Sequence, residues 1–285
     1  MASSNEPAGM VDYLNSDGAG PSAEEIEFAM AFLKPGEMDP ALLARAADPV
    51  RLAAQKIKVG ERHARDWGQL CQYRDANAAL AGQPVKAVFI GDSITELWAA
   101  ADPEFFSGGV VGRGISGQTS PQILARFMAD VIALKPQVVH ILCGINDIAG
   151  NTGPSTPQDY KNNMLAMIAL AHAHRVTIVI GSIMPAQNFS WVGEHGLDPR
   201  PRVAELNTWL RDMADQRCLI WADYHALLKA EDDSMRPEYT RDGVHPVLGG
   251  YAAINHLARF ALAAALQRAS YLSTANVGTT AATPA

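Results

Sequence analysis

The sequence predicts an α/β protein: a three-layer α/β/α sandwich around a five-stranded parallel sheet, preceded by an N-terminal helical extension. Three observations carry this. After Pro84, short apolar runs alternate with helix-length amphipathic segments, the rhythm of a parallel sheet covered on both faces. The first three apolar runs end in polar, glycine-bearing turns. Before Pro84 there are helix-start signals and no strand-like run. The chain has 285 residues, 48% hydrophobic and 19% charged, which is enough to bury a substantial core.

Residues 1–21 are polar and rich in Gly, Ser and Pro, and read as a loose arm. Ser22-Ala-Glu-Glu25 is a capping box that opens a helix ended by Lys34-Pro35-Gly36. Asp39-Pro40 opens a second helix, with Asp as cap and Pro at the first helical position. A third helical run covers Val50 to Leu80. The strands are expected at Val85–Ile90, Gly109–Val111, Val138–Leu142, Val176–Ile180 and Leu219–Trp221. Helices fit after Ile94 and at Pro121–Leu134, Tyr160–Ala173, Arg202–Gln216 and Gly249–Leu266. This divides the chain into an arm and helical extension (1–83), an α/β domain (84–268) and a flexible tail (269–285).

Composition excludes several classes. Lys plus Arg total 23 against 30 Asp plus Glu, a net charge of −7, and no basic block offers a nucleic-acid or anionic-membrane patch. Cys71, Cys143 and Cys218 are too few and too scattered for a disulfide framework or a zinc site; no metal and no cofactor is expected. The start of the chain lacks the basic and apolar runs of a signal peptide. The apolar stretch Tyr251–Leu266 is broken by Asn255, His256 and Arg259 and is too short for stable membrane insertion. A soluble protein is expected, cytoplasmic as the sequence stands, secreted or periplasmic if a leader has been removed. Homo-oligomerisation is left open.

In an open parallel sheet, ligands bind beyond the carboxyl ends of the strands. There the first strand runs into Gly91-Asp92-Ser93, the second into Gly112-Arg-Gly-Ile-Ser-Gly117, and the third into Gly144-Ile-Asn146-Asp147. Asp242-Gly-Val-His245-Pro246 precedes the last helix. Singly, each has an ordinary reading: Gly-Asp-Ser as a helix cap, the glycine-rich stretch as a turn, Asn-Asp as turn chemistry, and a His before Pro as surface. Their joint occurrence in this order is harder to dismiss.

FIGDSITELW, GRGISGQTS, GINDIAGN and DGVHP resemble the four sequence blocks of the SGNH hydrolases, also called GDSL esterases/lipases. The similarity runs from about Val85 to Leu266. GQTSPQILARF and NDIAGNTGP are closest to bacterial members that deacylate small or sugar-borne esters. The resemblance implies a flavodoxin-like hydrolase fold, Ser93 as nucleophile, His245 as base and Asp242 as its orienting partner. It further implies an oxyanion hole from Gly117, Asn146 and the Ser93 backbone N–H. Gly112 stands where relatives often have Asn, and Ile145 where Gly or Thr is usual.

The residue chemistry agrees with these roles. A serine at a helix N-terminus sits where free N–H groups favour negative charge. Its hydroxyl needs a base, and imidazole titrates near neutrality. Asp242 lies three residues before His245, so one turn brings its carboxylate to Nδ1. Glycine at 117 admits close backbone approach, and Asn146 offers a side-chain amide.

The resemblance implies a serine esterase that cleaves short-chain, foremost acetyl, esters of carbohydrates or small alcohols. The alternative of the same fold is a lysophospholipase or thioesterase. A dinucleotide-binding oxidoreductase is suggested by Gly112-x-Gly114-x-x-Gly117, although the next strand ends in Cys143-Gly144 with no acid for a ribose. A catalytically dead sugar-binding protein is the remaining rival. No G-x-S-x-G, H-E-x-x-H or P-loop motif occurs. His172 and His174 lie two apart at a helix end, the wrong spacing for one face, and His256 fits a helix packing position. Arg113 is a candidate for binding a substrate carboxylate or sugar hydroxyl, or for an ion pair holding the loop. Trp98, Phe189 and Trp191 are candidates to line the substrate pocket, against the commoner reading as core.

Overall fold

The structure is a computed structural model that describes residues 22–189 and 198–279, with side chains of the last helix described through residue 272. Its centre is a five-stranded, wholly parallel sheet in the order β2-β1-β3-β4-β5. The strands are β1 (Ala87–Gly91), β2 (Val110–Gly114), β3 (Val138–Leu142), β4 (Thr177–Gly181) and β5 (Ile220–Ala222). Every residue of β1, β3 and β4 is buried, as expected for strands covered on both faces. Phe89 and His140 sit side by side in register and stack at 4.3 Å between ring centroids.

The helical extension comprises α1 (Ala23–Leu33), α2 (Pro40–Ala46), α3 (Pro49–Arg65) and α4 (Arg74–Ala79). The helices of the α/β unit are α5 (Ser93–Ala101), α6 (Ser120–Asp130), α7 (Ile145–Ala149), α8 (Pro157–Ala173), α9 (Arg200–Gln216), α10 (Tyr224–Leu228) and α11 (Leu248–Thr279). α5 and α11 pack on the face bearing Phe89 and His140, and α6 and α8 pack together on the other. The strand order turns back between β1 and β3, which opens a crevice at their carboxyl ends. The residues following those two strands therefore meet there.

The expected elements form, with differences that have local causes. β2 continues to Gly114, beyond the expected Val111, so the first glycines of the second block belong to a strand. The run Val50–Leu80 is two helices rather than one. The Asp66 carboxylate accepts from the amides of Leu70 and Cys71, both at 2.9 Å, and Gln69 takes φ 54°. That local capture of amides competes with helix continuation. At the other end, α11 runs through Thr279 instead of stopping at Leu266 and fraying after Ser270. No Gly or Pro stands between Gly250 and Gly278, so the chain carries no stop signal there. The expected arm, residues 1–21, lies outside the described residues.

Candidate active site

The rim of the crevice is built from four segments. β1 leads into α5 through Asp92, whose side chain caps the helix by accepting the Ile94 amide at 3.0 Å. Ser93 is thus the first helical residue, where backbone N–H groups have no intrahelical acceptor. The elbow is tight: a Cβ on Gly91 would lie 2.3 Å from both the Leu142 carbonyl oxygen and Thr95 Oγ1.

Ser93 Oγ lies 2.8 Å from His245 Nε2, across 152 positions of sequence. His245 Nδ1 lies 2.7 Å from Asp242 Oδ2. The other carboxylate oxygen of Asp242 accepts the amides of Val244 at 2.9 Å and His245 at 2.8 Å. One carboxylate therefore folds its own turn and aligns the ring. Gly243, at φ 80°, supplies the left-handed residue that this turn requires.

The electrostatics follow from these contacts. Burial pulls the His245 imidazole down, but the Asp242 hydrogen bond and charge outweigh it, and Asp92 adds to them, so the ring sits above its ordinary pKa. Burial likewise pushes Asp242 up, and the His245 partner and backbone amides override it to leave the carboxyl below its usual range. Asp92 is fully enclosed, and burial, with the Asp147 charge nearby, raises it to about 7 against the Ile94 amide and His245.

The second and third blocks interlock, and the Ile115 amide ties the second to the Gly91 carbonyl at 3.2 Å. Gly117 turns with φ 79°. The Asn146 amide donates one N–H to the Gln118 carbonyl at 3.0 Å, while its oxygen accepts from Asn151 Nδ2 at 2.8 Å. This fixes the amide and leaves its second N–H uncommitted to that partner. Asn151 Nδ2 also reaches the Gly117 carbonyl at 3.3 Å. Asp147 accepts Ser120 N at 2.9 Å and Ser120 Oγ at 2.5 Å, which ties α7 to the start of α6. Glu96, raised by burial against its hydrogen bonds from Ser116, joins α5 to the same loop.

Beneath this rim lies Arg126, wholly buried. It donates to Gln118 Oε1 at 2.6 Å, Asp130 Oδ2 at 2.9 Å and the Gly91 carbonyl at 2.8 Å. One guanidinium thus clamps the strand end before Ser93 to the residue after Gly117.

Of the residues picked out from the sequence, hydrogen bonds join Ser93, His245 and Asp242, and Asn151 joins Gly117 to Asn146. Two other candidates do not join them. Trp98 is 0% exposed, packed among Phe89, Phe105 and Tyr251, with its indole N–H donated to Asn255 at 2.8 Å. It is core because Ser93 and Trp98 are five apart on α5, which aims them at different sides. Arg113 is 6% exposed, and its guanidinium serves the extension: it donates to Asn77 at 2.8 Å and the Gly112 carbonyl at 2.7 Å and lies over the Tyr73 ring. Trp191 lies outside the described residues, and Phe189 is buried in the core. The residues missed from sequence are Asn151, Asp147 and Arg126. The i,i+4 spacing of Arg126 and Asp130 was a signal, but it did not reveal burial.

Of the glycines that suggested a dinucleotide loop, Gly114 has a packing reason and Gly117 a conformational one, its φ of 79°. A Cβ on Gly114 would stand 2.1 Å from the Glu96 amide nitrogen, so that glycine lets β2 approach α5.

An open parallel sheet with a hydrogen-bonded Ser–His–Asp line on its carboxyl edge is a framework for ester hydrolysis. Residues 89–253 match the GDSL-like lipase/acylhydrolase family, and the chain belongs to that family. It is similar to the solved structures of a candidate acylhydrolase from Bacteroides fragilis (37% identity, TM-score 0.68, covering 70% of this chain and 99% of that one) and of a GDSL-like lipase from Bacteroides thetaiotaomicron (37% identity, TM-score 0.66, 70% and 98%). An acetylxylan esterase from Geobacillus stearothermophilus is 36% identical over 91 residues, 24% of this chain, and the match spans 42% of that relative's length. Among the described residues no helix is long and apolar enough to cross a membrane.

Proposed function

We propose that the protein is a serine esterase acting on short-chain acyl esters, acetyl esters foremost, of carbohydrates or small alcohols. The observation that carries this reading is the 2.8 Å contact between Ser93 Oγ and His245 Nε2, with Asp242 on the far side of the ring. His245 takes the Ser93 proton as the hydroxyl attacks the ester carbonyl. The tetrahedral oxyanion is met by the amides of Ser93 and Gly117 and the uncommitted N–H of Asn146. His245 returns the proton to the departing alkoxide, and the acyl group stays on Ser93 Oγ. A water then attacks the acyl carbonyl with His245 again as base, releasing the acid and restoring the serine. Asp242 holds the ring tautomer and stabilises the imidazolium. The similarity to an acetylxylan esterase supports the choice of acetyl on a sugar.

The test is a fluorophosphonate probe followed by peptide mapping, with nitrophenyl esters of increasing acyl length. The expected result is a single label on Ser93, absent from Ser93→Ala, and fastest turnover on the shortest esters. A label elsewhere, or no label, overturns the mechanism. A rate maximum at eight or more carbons moves the substrate to the lysophospholipase and thioesterase class.

A further inference from the structure

Helix α1 lies outside the segment that matches the family, yet it reaches the reacting groups. A capping box starts it: Ser22 Oγ accepts the Glu25 amide at 3.2 Å, and the Glu25 carboxylate accepts the Ser22 amide at 2.7 Å. Its last residue, Leu33, is wholly buried in the main core, so the helix is seated on the α/β unit. Its C-terminal carbonyls, which a helix leaves without internal donors, are taken by Arg241. Nε of Arg241 donates to the Phe32 carbonyl at 2.8 Å, and a second nitrogen donates to the carbonyl of Lys34. Arg241 immediately precedes Asp242.

This clasp sets an aromatic pair beside the base. The Phe32 ring stands edge-on to the His245 imidazole, with centroids 6.1 Å apart and planes at 87°. Phe28, one turn earlier, stacks on Phe32 at 6.5 Å. Both are half-buried, and neither belongs to the hydrophobic core cluster. In the esterase cycle the imidazole delivers its proton to the leaving alkoxide, so the alcohol departs along the ring that Phe32 flanks.

We propose that Phe32, backed by Phe28, is a specificity-determining contact for the alcohol half of the ester, favouring alcohols that present an apolar ring face, such as a pyranose or cyclohexyl ring. The proposal rests on the esterase reading above. Aromatic faces pack best against flat apolar partners and gain little from a single methyl.

The experiment measures kcat/KM of wild type, Phe32→Ala and Phe32→Leu on two series. The first varies the alcohol at constant acyl: methyl acetate, cyclohexyl acetate and monoacetylated methyl xyloside. The second varies the acyl chain at constant alcohol: methyl acetate, butyrate and hexanoate. The expected result is a fall for the two ring alcohols about 3- to 10-fold larger than for methyl acetate, with the ratios across the acyl series retained. Phe32→Leu keeps apolar bulk under α1, so it carries the test if Phe32→Ala unseats Leu33. Equal loss across both series, a change confined to the acyl series, or no change in selectivity overturns the proposal. A wild-type protein that cleaves none of these esters and takes no fluorophosphonate at Ser93 defeats the esterase reading and the proposal with it. Normal Ser93 labelling with unchanged alcohol selectivity defeats the proposal alone.

Discussion

The two halves of the site are held by different means. Ser93 and the blocks after β2 and β3 rest on a sealed lattice: Ser93 is 7% exposed, and Arg126 below it is wholly buried between Gly91, Gln118 and Asp130. His245 and Asp242, whose side chains are 19% and 27% exposed, sit on a loop pinned by its own turn and by the hydrogen bonds of Arg241 to the end of α1. Rigidity on the serine side comes from desolvated hydrogen bonds that are expensive to leave unmade. On the histidine side it comes from a carboxylate serving both turn and ring. Damage to the buried frame beneath Ser93 should show as lost stability, and damage to the His245 loop as lost rate.

The largest expected effect is on chemistry. Ser93→Ala and His245→Ala should each lower kcat at least ~10³-fold while the thermal transition stays near wild type, because triad members act as a unit. Steady-state kinetics beside a melting curve checks this, and near-normal turnover in Ser93→Ala breaks the comparison at its root. Next comes Arg126→Met, expected to cost about 3 kcal/mol of stability by removing a buried cation that donates to Asp130, Gln118 and the Gly91 carbonyl. Denaturant unfolding reads it. A loss below ~1 kcal/mol would mean that the serine side is not held as described.

Asp242→Asn should lower kcat by about 10²-fold, less than either triad partner, with little change in stability. It also sharpens the electrostatic contrast. Catalysis needs neutral His245, and Asp242 raises its pKa, so wild-type activity should fall as pH drops through a midpoint above ~6.5. In Asp242→Asn the raising charge is gone while burial remains, so the acid limb should move to lower pH. An unmoved limb in the pH–rate profile would detach the limb from this pair. The smallest effect is expected at Asn151→Ala, which frees the Asn146 amide to rotate: about 10-fold in kcat with KM little changed. Equal loss in Asn151→Ala and Asn146→Ala would mean that Asn151 does more than position.

Much of this fold was legible because local signals agreed with the global plan. β3 falls at Val138–Leu142 as expected, since a five-residue apolar run between turns has few alternatives. The proposed reacting residues were legible because each follows a strand or precedes a helix, where one short block fixes both conformation and chemistry. What could not be read was non-local. For Trp98 and Arg113 the sequence left a pocket role open beside core packing and a loop-holding ion pair. Their actual partners are Asn255 for Trp98, and Asn77 and Tyr73 for Arg113. Likewise nothing near Phe32 announces an imidazole more than 200 positions later. The break at Asp66 was missed because a capping aspartate inside a polar helical run is indistinguishable from a solvated one.

Gly91 carries a lesson of its own. With backbone and side-chain oxygens both 2.3 Å from where a methyl would stand, the first letter of the Gly-Asp-Ser signature performs no chemistry at all. It is the hinge pin that lets a strand turn into a helix with the hydroxyl at the apex. Saturation mutagenesis at that codon should return glycine alone among active clones, whatever ester is used for selection, whereas selections at Phe32 should return different residues for different esters. Part of what makes the Gly-Asp-Ser signature recognisable is carpentry, and the contact proposed to distinguish one alcohol from another lies outside it.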